Sequence, residues 1–222
     1  VDNSSYVIAS SDGKTLYSIA DEGVVSFRIL PNGSLARLNS ASIRGMRGCH
    51  LCTDEEDKYV FVSGYHDGKT TVLSLNPDGS VGKIVDGVFD RGYGSVAERN
   101  FRPHVTCTRR MPDNRFVLSV DNGIDQVKIY RFNDKEQKLV QVDAIRCDLE
   151  SAPRHFRYSK DGKFIYLMYE LKKAIEVYTY KTGDRAPVIE KIQTISTTST
   201  KNPDNLTAAC AMRMSVDQKY IY

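Results

Sequence analysis

Short runs of β-branched and aromatic residues alternate with polar turn clusters along the whole chain, and no stretch holds a capped apolar period of about 3.6 residues. The clearest copy lies in residues 153–180. Ser159-Lys160-Asp161-Gly162-Lys163 leads into Phe164-Ile165-Tyr166-Leu167-Met168-Tyr169, and Ile175-Glu176-Val177-Tyr178-Thr179-Tyr180 follows. Such runs bounded by turn formers predict strands. Asp-Gly between two of them predicts a hairpin, because glycine adopts positive φ without steric cost.

The turn recurs, opened in succession by Asp12, Glu56, Asp113, Asp161 and Asp217. A strand is predicted before each, at 6–9, 50–53, 104–108, 156–158 and 210–214, and a second directly after it. Third strands are predicted at 24–29, 70–75, 126–132 and 175–180, and fourth strands at 35–41, 84–89, 139–145 and 188–195. Pro31-Asn32-Gly33-Ser34 and Pro77-Asp78-Gly79-Ser80 supply explicit turns between third and fourth strands.

Four strands per unit of roughly 50 residues predict an all-β fold, a β-propeller of four-stranded antiparallel blades. The blades are expected near 4–44, 48–90, 103–147, 153–195 and 208–222, in one domain spanning 1–222. The fifth unit stops in its second strand, so about four and a half blades are expected from a longer, closed ring. The chain starts at Val1 without Met and without a signal-peptide pattern, which fits a processed chain or a fragment. Long polar connections at 86–103 and 196–208 join the outermost strand of one blade to the innermost strand of the next. They are expected on the face where the channel opens.

Composition narrows the function classes. The net charge of +3 and the lack of a basic cluster interleaved with aromatics predict no nucleic-acid partner. No apolar run approaches the roughly 20 residues that span a membrane. Five scattered cysteines do not form a disulfide framework and suggest the reducing cytoplasm. Cys49-His50-Leu51-Cys52 has no second Cys/His pair at zinc spacing, so no metal and no cofactor are expected. There is neither a Gly-rich phosphate loop nor a serine elbow.

Four segments carry a resemblance. Arg99-Asn100-Phe101-Arg102-Pro103-His104, Ala152-Pro153-Arg154-His155, Tyr169-Glu170-Leu171 and Gly64-Tyr65-His66-Asp67-Gly68 are similar to the seven-bladed propeller lactonases. That family includes a bacterial type of 6-phosphogluconolactonase and the fungal carboxy-muconate lactonizing enzymes. The resemblance implies a ring of seven blades and a lactone hydrolase acting on a sugar lactone, 6-phosphogluconolactone above all. It places the Pro-Arg-His arginine at Arg154 and its acidic partner at Glu170. It keeps the first of two family histidines as His104, but Thr106 stands where the second would be, Ala211 where a glutamate is common, and Tyr169 where Asn is usual.

Lactone hydrolysis needs a base for water and a group that stabilises the oxyanion. Arg154, Glu170 and His104 are the expected catalytic residues, with Arg154 suited to an anion by its planar fork of donors. His155, Arg99, Arg102, His50 and His66 are expected to bind substrate, each with a structural alternative. On a regular strand His104 and Thr106 would share a face, whereas His155 would point away from Arg154. Arg213 reads as a strand surface charge. The oligomeric state is left open. Two alternatives stand beside hydrolysis: a propeller that binds a ligand or partner without catalysis, and a muconate-type cyclising enzyme on the same scaffold.

Overall fold

The structure, a computed structural model, describes residues 1–21, 23–95, 101–198 and 208–222. Sixteen strands among them form four antiparallel sheets of four strands each, in chain order within every sheet. The first blade is β1 (Val7–Ala9), β2 (Thr15–Ala20), β3 (Gly23–Ile29) and β4 (Leu35–Ser42). The second is β5 (His50–Thr53), β6 (Tyr59–Gly64), β7 (Lys69–Leu75) and β8 (Val81–Phe89). The third is β9 (Val105–Arg110), β10 (Phe116–Asp121), β11 (Gln126–Phe132) and β12 (Leu139–Arg146). The fourth is β13 (Pro153–Tyr158), β14 (Phe164–Tyr169), β15 (Ala174–Lys181) and β16 (Val188–Ser196). The innermost strands β1, β5, β9 and β13 are mutual neighbours in sequence order, which wraps the blades around a channel.

Local sequence explains each blade. In the turn after the innermost strand, Gly13, Asp57, Asn114, Gly162 and Gln218 all have φ between 51° and 69°. The small and polar residues at this position tolerate the left-handed region best. In three of these turns a serine hydroxyl two residues ahead of the acid caps it: Ser10 on Asp12, Ser159 on Asp161 and Ser215 on Asp217. Second strands such as β6 and β10 are buried along their whole length, whereas the outermost β4 and β16 are mostly half-exposed or exposed. A strand covered on both faces reads as a continuous apolar run, and an outer one reads as polar.

The core is divided between facing sheets. One apolar cluster joins the first and second blades around Ile19, Leu51 and Val62, a second joins the second and third around Phe61, Phe132 and Val117, and a third joins the third and fourth around Phe116, Phe156 and Leu167. Burial of side chains this size stabilises by about 1.5–3 kcal/mol each. The wedges between blades therefore supply the cohesion, and the channel is left for polar side chains.

Two expectations change. The predicted strand at 210–214 is replaced by an isolated bridge between Met214 and Ile221. The carbonyls of Cys210 and Met212 instead accept hydrogen bonds from Arg154 Nε and Arg157 Nε of the fourth blade, at 3.3 Å each. Strand β8 runs through Phe89, so the first long connection begins at Asp90 rather than Asp86, because Asp86 is held in the sheet by Leu139 N–H and Lys138. Of the second connection, residues 199–207 lie outside the described residues.

Candidate active site

The β13–β14 hairpin brings two charged residues to one end of the fourth blade. Pairing runs from Tyr158 opposite Ile165 to His155 opposite Met168, and then jumps to Pro153 opposite Tyr169. Arg154 is the extra residue of that β-bulge, a device that re-aims a side chain. Glu170 follows β14 directly, and its backbone N–H donates to Ala152 O at 2.8 Å. Arg154 Nη1 donates to Glu170 Oε2 at 2.6 Å. Asn122 Nδ2 donates to the same oxygen at 3.2 Å. Glu170 is only 6% exposed, whereas Arg154 keeps about a third of its side chain accessible. A short, charge-assisted contact of this kind fixes both partners.

The turn entering β13 is held from the third blade. Asp125 accepts Glu150 N–H at 2.9 Å and Ala152 N–H at 2.8 Å. Both residues have positive φ, 61° and 51°, a cost that non-glycine residues bear only when the surroundings enforce it. Asp125 therefore positions the carbonyl on which Glu170 rests.

Arg154 and Glu170 form one wall of a cavity of about 560 Å³, shared with Tyr6, Cys49, His50, Tyr65, His66, Thr106, His155, Cys210, Ala211 and Arg213. His155 thus joins Arg154 in the cavity instead of pointing away from it, because the bulge breaks the alternation between them. Register also shifts between Val120 and Asp121, which pair with Cys107 and Val105, so Thr106 is the bulged residue of the third blade. Thr106 lines the cavity and His104 does not.

His104 is 5% exposed and committed elsewhere. Its ring stacks on Tyr65 at 4.3 Å, its Nδ1 lies 2.6 Å from Tyr65 O, and its N–H donates to Asp121. Close approach of the loops permits this: a Cβ on Gly68 would meet Pro103 at 2.6 Å. Burial lowers the His104 pKa.

The floor of the cavity is a layer of rings. Tyr6 packs against His50 at 4.8 Å, and His50 meets His155 edge-on at 5.5 Å. Burial first, then Arg109, holds His50 well below its usual pKa. Burial and the guanidiniums of Arg109, Arg157 and Arg213 bring His155 down to about 2. Both shifts favour the neutral imidazole, and among the described residues the buried Nδ1 atom of each has no hydrogen-bond partner. His66 is exposed at the rim, edge-on to Tyr65. Arg102 is exposed and lies over the Phe101 ring, away from the cavity. Arg99 lies outside the described residues.

One group escaped the sequence reading. His50, Cys107 and His155 place one donor atom each within 4.8 Å of the others. Arg109 Nη2 donates to His50 Nε2 at 3.2 Å, so the nitrogen facing Cys107 is already engaged by a cation. The Cys49 thiol is pushed up to about 12 by burial, and that of Cys52 is raised by the same cause.

Asn122 and Tyr65 were not named as site residues, and Thr106 was named only as a departure from the family pattern, although the repeat could have found all three. Tyr65, Asn122 and Glu170 each lie nine residues after their turn acid, and Cys49, Thr106 and Arg154 each lie seven before. The cavity mouth is built largely from these two positions of successive blades.

The sequence model of the family described as "Lactonase, 7-bladed beta-propeller" matches residues 1–222. A Bacillus subtilis protein named 6-phosphogluconolactonase is 29% identical over 99% of this chain and 63% of its own length. A crystal structure from Bacteroides fragilis, of a protein provisionally described as a 6-phosphogluconolactonase, superposes with a TM-score of 0.86 at 29% identity, over 100% of this chain and 64% of that one. The periplasmic gluconolactonase of Pseudomonas aeruginosa superposes with a TM-score of 0.89 at 24% identity, again over 100% and 64%, a likeness of fold. The chain thus spans a little under two thirds of the length of these relatives. With four blades in sequential order and a family match along its whole length, this chain belongs to the seven-bladed β-propeller lactonase family.

Proposed function

We propose that the complete protein hydrolyses a sugar lactone, 6-phosphogluconolactone to 6-phosphogluconate. The observation that carries this reading is the Arg154–Glu170 pair on the wall of an open cavity of about 560 Å³. The names of the relatives support the substrate class. Glu170 takes a proton from water as the water oxygen attacks the lactone carbonyl. Arg154 donates to the oxyanion that forms. The ring C–O bond then breaks, and the leaving oxygen recovers the proton from Glu170, giving the open-chain acid. Asn122 keeps the Glu170 carboxylate aimed. His104 serves as a positioning residue for the Tyr65 wall, and His50, His155 and His66 line the pocket.

Thr106 favours a second reading. It occupies the bulge where the family resemblance expects a histidine, and a mouth without that histidine suits a propeller that binds its ligand and catalyses nothing. Hydrolysis of 6-phosphogluconolactone by the complete protein, followed by acid release, separates the two. Activity that falls at least about tenfold in Glu170→Gln supports the lactonase, given the usual size of acid–base effects. No turnover of any lactone supports the binding module. The five free thiols fit a reducing compartment, and we propose the cytoplasm.

A further inference from the structure

The position four residues before the turn acid carries arginine in three consecutive units, Arg109, Arg157 and Arg213. All three line a second cavity of about 400 Å³, which shares Tyr6 and Arg213 with the first. Arg109 is 9% exposed. It donates to His50 Nε2 and to Cys52 Sγ, and among the described residues its Nε has no partner. Arg157 Nε donates to Met212 O. Arg213 donates to Met212 O at 3.4 Å and to the Tyr6 hydroxyl at 3.1 Å.

Among the described residues, none of the three guanidiniums forms an ion pair with a carboxylate. Asp54 shares the cavity but is engaged by Arg110 and by the N–H groups of Lys58 and Tyr59, and Glu55 is exposed at its edge. Burial first, and then Arg109 and Arg213, lowers Arg157 to about 10, whereas Arg109, despite its burial, is raised by the nearby thiols and hydroxyls. Arg109 is buried and Arg157 half-buried, while Arg213 is exposed, so the cost of charge without a counter-ion falls on the first two, and an anion relieves it.

We propose that this cavity binds one small oxyanion of the phosphate type, held by the N–H groups of Arg109, Arg157 and Arg213 behind the His50–His155 layer. Guanidinium forks match phosphate oxygens in pairs, and the three retain N–H donors beyond those engaged by His50, Cys52, Met212 and Tyr6. The same charges set the neighbouring His50, Cys107 and His155 group against a cation. The oxyanion is free inorganic phosphate or the phosphoryl group of a substrate seated in the mouth. The second source rests on the lactonase reading; the binding site does not.

The test is calorimetric titration of the complete protein with inorganic phosphate, beside melting curves with and without it. Wild type is expected to bind phosphate and melt higher in its presence, and Arg157→Met to bind at least about tenfold more weakly. In phosphate-free buffer Arg157→Met is expected to melt no lower than wild type, since repulsion is relieved; a merely structural arginine would melt lower. No binding up to about 10 mM phosphate, or equal binding by both proteins, overturns the site. Kinetics then identify the source. If the oxyanion is the substrate's, phosphate competes with 6-phosphogluconolactone, and Arg157→Met raises KM for it more than for unphosphorylated gluconolactone. If it is free phosphate, the ion binds alongside the substrate without raising KM. Because calorimetry reads binding without turnover, loss of the lactonase reading leaves this result standing.

Discussion

Arg154 and Glu170 meet at 2.6 Å because the bulge opposite Tyr169 turns the arginine toward the residue that ends the adjacent strand. The contact ties the third blade to the fourth through Asn122, and its cation remains partly accessible to a ligand.

Arg154→Ala should therefore lower turnover at least about tenfold while leaving the circular dichroism spectrum and the melting cooperativity unchanged. Arg154→Lys should recover only part of the loss, because an ammonium lacks the fork that reaches Cys210 O and Glu170 together. Initial rates on 6-phosphogluconolactone check both. Wild-type turnover in Arg154→Ala would remove the arginine from the mechanism.

His104 and Thr106 separate by role. His104→Ala should destabilise by about 1–2 kcal/mol, through the lost stack on Tyr65 and the lost contact with its carbonyl. The pH–rate profile should keep its shape. Thr106→His places an imidazole in the cavity, and a new limb near roughly pH 6.5 should enter the profile. A changed limb in His104→Ala instead would make His104 a proton carrier.

Asp121 and Asp90 predict a pH dependence of stability. Asp121 is fully buried, and burial first, then Asp90, pushes its pKa up to about 8 from 3.8. The folded state keeps a proton that the unfolded chain releases. This contribution is complete below about pH 4 and is lost as pH rises through about 8. Asp121→Asn keeps an oxygen for the N–H groups of His104 and Gly123 and needs no proton. Its melting temperature relative to wild type should rise steadily between pH 5 and 8; a constant difference would show that Asp121 does not hold the proton.

Much of this architecture is legible in the sequence. The turn acids mark every blade, and the residue after each adopts the left-handed conformation that its chemistry suggests. Strand β5 follows from its place before the turn acid Glu56, and β7 follows to within a residue from its run of threonines and valine. The placement of Arg154 beside Glu170 follows from hairpin arithmetic. Side-chain direction is less accessible. His155 and His104 both defeat simple alternation, because each lies beside a bulge whose signature is pairing rather than composition. Arg213, read as a strand surface charge, is exposed but lies on irregular backbone and lines both cavities, because its hydroxyl partner Tyr6 is distant in sequence. Tyr169, a departure from the family pattern, is a core residue whose hydroxyl donates to Glu176, which periodicity does not reveal.

The bulge at Thr106 and Arg154 has a consequence for how such mouths diversify. It absorbs one residue outside the ladder, so the blade behind it keeps its pairing whatever side chain occupies that place. Thr106 and Arg154 differ in size and charge on strands whose registers are otherwise alike. The inner rim therefore works as a row of interchangeable sockets, in which new specificity can be installed one residue at a time without renegotiating the packing between blades.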